Sequence, residues 1–140
     1  MPEINVKFVD GMTFIGKGES NHWVAMDTDD LHGGSEAGTK PMELLLIALG
    51  GCTGMDVVSI LRKKRMPFDK FELKINGSIA QEYPKYYEKI DIEYIFYGNN
   101  IVEKDVVHAI ELSEQKYCPV MNVLRRSGAI VTTKYSINPK

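Results

Sequence analysis

The sequence predicts an α+β domain whose strands pair antiparallel. Short runs of alternating polar and apolar residues cluster near the amino terminus and again in the middle of the chain, which is strand period. Between them lies one long helical segment, apolar on all sides. A length of 140 residues with 44% hydrophobic composition suits a single domain, 1–140, with its own core. No internal repeat, low-complexity tract or linker divides it.

Ile4 to Val9 and Thr13 to Lys17 alternate on either side of Asp10-Gly11, a strong hairpin signal. His22 to Met26 continues the meander. Asp27 to Lys40 is rich in Asp, Gly, Ser and Thr and reads as a loop, long enough to suggest a role of its own. Thr39 or Lys40 followed by Pro41 opens the longest helix, because a threonine caps free amides and proline suits the first turn. This helix runs to about Lys64. Leu44 to Leu49 is apolar all round, so burial from several directions is expected. Arg62-Lys63-Lys64-Arg65 closes it as a solvated end where cations complement the dipole, and Pro67 prevents continuation. Lys70 to Ile79 and Ile90 to Tyr97 form a long hairpin joined by Gln81 to Glu88. Ile101 to Tyr117 is a second helix with Ile101, Val102, Val106, Ala109, Ile110 and Ser113 on one face. Cys118-Pro119 starts a short third helix through Arg125, Gly128 stops it, and Ala129 to Ile137 is the last strand.

A formal net charge of −2 gives no global positive field to recruit nucleic acid or an anionic membrane. The first residues lack the basic start and apolar run of a signal peptide, and no uninterrupted apolar run reaches the roughly 18 residues of a bilayer span. The expected compartment is a reducing cytoplasm. Two cysteines there are free thiols or redox groups in preference to a permanent disulfide.

The candidate chemistry rests on those cysteines. Cys52 lies mid-helix among Gly50, Gly51 and Gly54, which cost roughly 1 kcal/mol each against alanine. Either another backbone packs against this turn or the sulfur must stay reachable. Asp56 lies one turn further on the same face, where its charge disfavours a thiolate. An inert buried cysteine is the competing reading. Cys118, followed by Pro119, is expected to cap its helix, where the dipole and free amides favour the thiolate. Arg125 and Arg126 lie too far along that helix to add much. His22, His32, Asp27, Asp29 and Asp30 are metal-competent but lack ligand spacing, so turn chemistry explains them and no metal or cofactor is expected. Tyr83, Tyr86, Tyr87, Tyr94 and Tyr97 read as sheet packing or an interface, without the interleaved cations of a base-stacking surface.

The segment Lys40-Pro41-Met42-Glu43-Leu44-Leu45-Leu46-Ile47-Ala48-Leu49-Gly50-Gly51-Cys52 resembles the central helix of the OsmC/Ohr family, and Gln115-Lys116-Tyr117-Cys118-Pro119-Val120 resembles its second cysteine motif. The hairpin and helix between them match the family layout, and the likeness spans nearly the whole chain. It implies an OsmC-like fold in which antiparallel sheets wrap a long central helix in an intertwined homodimer, with sites at the dimer interface. It also implies a two-cysteine mechanism. Cys52 would attack an organic hydroperoxide or peroxide, Cys118 would resolve the sulfenic acid as a disulfide, and a thiol reductant would regenerate both.

The chain departs from that pattern at the activating groups. The peroxidase branches hold the first cysteine with an amino-terminal arginine paired to a glutamate at the helix start. Here no arginine precedes Arg62, Lys7, Lys17 and Lys40 cannot reproduce its bidentate fork, and the glutamate position falls on Met42 with Glu43 turned about 100° away. The leading expectation is hydroperoxide reduction in oxidative stress defence. The alternative is a binding module that takes a small apolar or electrophilic ligand at the dimer interface, for which Met42, Met55, Met66 and Met121 would suit an adaptable pocket.

Overall fold

Asp10-Gly11 turns the chain as its composition predicts. In the computed structural model, which describes residues 1–140, Gly11 takes φ 56° between β1 (Asn5–Asp10) and β2 (Thr13–Lys17). The two strands pair antiparallel with Phe8 opposite Phe14, and β3 (Val24–Met26) adds to the other side of β2. This three-stranded sheet and the following loop make one compact unit, Met1–Leu45, and the remaining chain, Leu46–Lys140, makes another.

The loop after β3 is held by its acidic residues. Asp27 is buried and accepts hydrogen bonds from the Thr13 hydroxyl at 2.8 Å and from the amides of Thr28 and Ala37 at 2.7 and 3.2 Å. Those donors, Thr13 foremost, hold its carboxyl below the usual range. Asp29 caps a single 3₁₀ turn (Asp30–His32) and pairs with Lys40 at 2.9 Å. The length of this loop is explained by internal hydrogen bonding.

The second unit takes most of α1 (Pro41–Lys63). Leu49, Thr53, Val57 and Leu61 recur every four residues and are fully buried, which defines one helix face. Within one chain only that face is covered, and Ile47 and Met55 are exposed on the other side. By length and composition α1 is apolar enough to cross a membrane, although Glu43, Thr53 and Asp56 interrupt the run.

β4 (Lys70–Ile79) and β5 (Tyr87–Tyr97) pair antiparallel, with Phe71 opposite Phe96 and their rings stacked 4.4 Å apart. Ile90, Ile92, Tyr94 and Phe96 alternate along β5 and are fully buried, so one face of this strand is the core. β6 (Ile130–Ile137) lies on the other side of β5 and runs parallel to it, where antiparallel pairing is predicted throughout. The reason is the connection. α2 (Glu103–Leu112), a π-turn (Ser113–Tyr117) and α3 (Pro119–Arg126) intervene, and a helical crossover returns a strand in the same direction. Gly128, at φ 105°, ends α3 as predicted.

Candidate thiol site

The two cysteines meet. Cys52 on α1 and Cys118 ahead of α3 place their sulfurs within 4.8 Å of each other and of a carboxylate oxygen of Asp56. The local causes lie in the backbone. Cys52 and Asp56 share a helix face because they are four residues apart. Cys118 is positioned by the π-turn, in which its amide donates to the carbonyl of Ser113 at 2.9 Å. It is also the N-cap predicted from Pro119: the Met121 amide donates to Cys118 Sγ at 3.4 Å.

The expectation that this helix start favours a Cys118 thiolate is corrected. Burial pushes its thiol up to about 12, the contact with Cys52 acts in the same direction, and the single amide bond from Met121 does not offset them. Both cysteines are free, with Cys118 buried and Cys52 half-buried. The glycines around Cys52 separate by role. A Cβ on Gly50 would crowd the Ile75 side chain at 3.1 Å, whereas one on Gly51 would meet nothing within 4 Å.

Behind the sulfurs runs a buried chain of hydroxyls that the sequence did not reveal as a unit. Ser113 Oγ donates to Asp56 Oδ2 at 2.9 Å, Thr53 Oγ1 lies 2.7 Å from Ser113 Oγ and 2.9 Å from the Tyr94 hydroxyl, and Tyr94 donates to Glu114 Oε2 at 2.7 Å. Thr133 Oγ1 donates to Glu114 from β6, and Arg125 Nη1 donates to the Glu114 carbonyl at 2.7 Å. Asp56 is thereby oriented by groups from α1, β5 and the π-turn. Desolvation raises the Tyr94 phenol, which stays protonated and can serve as a donor. From sequence, Ser113 reads only as a helix-face residue and Tyr94 as sheet packing or an interface. No short motif links residues so far apart in sequence.

The lysines upstream of the helix are engaged elsewhere. Lys7 and Lys17 lie over the Trp23 ring at 5.7 and 4.9 Å from its centroid, and Lys40 pairs with Asp29. Of the methionines expected to form a pocket, Met66 and Met121 are core residues, while Met55 lines an open groove of about 650 Å³ with Gly50, Gly51, Gly54, Phe71 and Leu73. Arg62 and Lys63 lie at its rim.

Comparison with known proteins places the sequence and the fold. The sequence profile described as OsmC-like protein matches residues 32–134. Protein YhfA of Escherichia coli (strain K12) is 34% identical over 135 residues, covering 96% of this chain and 97% of its own length. The crystal structure of a hypothetical protein from Aquifex aeolicus VF5 superposes with a TM-score of 0.82 at 29% identity, covering 99% of this chain and 98% of that one. An organic hydroperoxide resistance protein from Elizabethkingia anophelis shares the fold, with a TM-score of 0.72 at 16% identity and coverage of 97% and 96%. With both cysteine segments and the mixed α+β architecture in place, the chain belongs to the OsmC-like family.

Proposed function

We propose that this protein reduces organic hydroperoxides through Cys52 and Cys118 in oxidative stress defence. The observation that carries the reading is the meeting of a half-buried cysteine and a buried one, their sulfurs within 4.8 Å. In this reading Cys52, the more accessible of the two, is the attacking nucleophile, and burial keeps the Cys118 thiol protonated until it resolves the intermediate. Its thiolate attacks the terminal peroxide oxygen. The O–O bond breaks, the alkoxide takes up a proton and leaves as the alcohol, and Cys52 becomes a sulfenic acid. Cys118 sulfur then attacks that of Cys52. The sulfenic oxygen departs with the thiol proton as water, and a disulfide forms. A dithiol reductant restores both thiols and becomes a disulfide itself. The relatedness to hydroperoxide resistance proteins by fold supports the reaction class. The cycle needs a reductant-rich compartment, for which the cytoplasm is our assignment.

The protein acts as a homodimer in this proposal. Ile47, Gly51 and Met55 form an exposed stripe on α1 at four-residue spacing, with open space above Gly51 for a second copy. The apolar groove beside the stripe favours a second reading, a module that binds a small apolar ligand without turning it over. Hydroperoxide consumption with a dithiol reductant supplied separates the two. The proposal expects turnover by wild type and its loss in Cys52→Ser. Consumption no faster than free thiol in wild type would overturn the peroxidase reading and leave the binding one.

A further inference from the structure

We propose that Cys52, Cys118 and Asp56 form a three-ligand site for a thiophilic divalent cation of the zinc class. The donors lie within 4.8 Å of one another. A tetrahedral zinc ion holds sulfur at about 2.3 Å and oxygen at about 2.1 Å, so its ligands stand about 3.6–3.8 Å apart, and closing this triad takes roughly 1 Å. Two sulfurs and one carboxylate select zinc over magnesium or calcium, which demand oxygen ligands.

Three features make this a built site. Cys52 and Asp56 are fixed one turn apart on α1, and Cys118 is pinned by its capping bond with Met121. Asp56 carries the supporting hydrogen bond that metal-binding carboxylates use, from Ser113, itself buried and held by Thr53. Cys52 and Asp56 are half-buried, which leaves an approach for the ion and room for a fourth ligand from solvent, as in zinc sites with an open position. The acidic loop is no competitor, because Asp27 and Asp29 are occupied by Thr13, Thr28, His32 and Lys40.

Such a site is independent of hydroperoxide reduction. An ion bound to both sulfurs would block disulfide formation, so metal and oxidant would compete for the same pair.

Cobalt(II) is the probe, added to chelator-treated, fully reduced protein, since tetrahedral thiolate coordination gives it a charge-transfer spectrum. The proposal expects one ion per chain, displaced by zinc, with thiolate absorption roughly halved in Cys52→Ser or Cys118→Ser and absent in the double variant. Asp56→Asn should weaken binding at least ten-fold, and Ser113→Ala about 10–100-fold, as loss of a supporting hydrogen bond does elsewhere. Circular dichroism of each variant confirms that it folds. No thiolate band in wild type, equal affinity in the double cysteine variant, or unchanged affinity in Asp56→Asn would each overturn the three-ligand site. None of these readouts depends on hydroperoxide turnover.

Discussion

The sulfurs of Cys52 and Cys118 lie within 4.8 Å of each other, one half-buried on a helix face and the other buried at a helix start. That pairing brings two distant motifs together, and it is asymmetric. Cys118 accepts an amide hydrogen bond, contacts Cys52 and sits in a desolvated pocket, so its chemistry differs from that of its neighbour.

The asymmetry predicts selective modification. Alkylation of the reduced, folded protein near pH 8 should label Cys52 and leave Cys118 largely unmodified, whereas denaturant should equalise the two. Peptide mass spectrometry reads both sites. Faster labelling of Cys118 in the folded state would contradict the assignment of roles.

Cys118 also makes stability depend on alkaline pH. Its thiol is pushed up to about 12 in the folded protein, above its unfolded value of about 8.5, so between these values the folded state keeps a proton that the unfolded state has lost. Its contribution is complete below pH 8.5 and declines as pH rises towards 12. Urea midpoints should fall between pH 8 and 10.5 more steeply for wild type than for Cys118→Ala. Equal slopes would show that burial does not hold this proton.

Thr53 bridges Tyr94 and Ser113 deep inside the second unit. Thr53→Val keeps the shape and removes the hydroxyl, and should cost about 1–3 kcal/mol in chemical denaturation. Thr53→Val combined with Tyr94→Phe should cost less than the sum of the single variants, because they share a hydrogen bond. Strict additivity would mean that the chain is not a coupled network.

Met55 is 75% exposed on the proposed dimer stripe. Met55→Glu should leave the fold intact, since the side chain touches solvent in one copy. It should weaken self-association by about 2 kcal/mol or more, roughly thirty-fold, by placing a charge in an apolar interface. Sedimentation at several concentrations measures this, and an unchanged association constant would remove α1 from the interface.

Much of the fold was legible because local signals agree with tertiary structure. Lys70–Ile79 alternates as a strand should, Pro41 and Lys63 bracket α1 closely, and Gly128 ends α3. The parallel direction of β6 is not legible in the sequence, because strand period carries no information about which way a neighbour runs. The π-turn at Ser113–Tyr117 was invisible because its residues fit an ordinary helix equally well. The sequence marks both cysteines as candidates, and it marks Asp56 only as a charge that opposes a thiolate. Its bond with Ser113 depends on a contact between α1 and the π-turn, which no local pattern encodes.

The most direct test of the redox pair treats the reduced protein with one equivalent of an organic hydroperoxide and maps its cysteines without reduction. An intrachain Cys52–Cys118 disulfide, reversed by a dithiol, is the expected result. A thiol pair left intact, or Cys52 driven to sulfinic acid while Cys118 remains a free thiol, would contradict it.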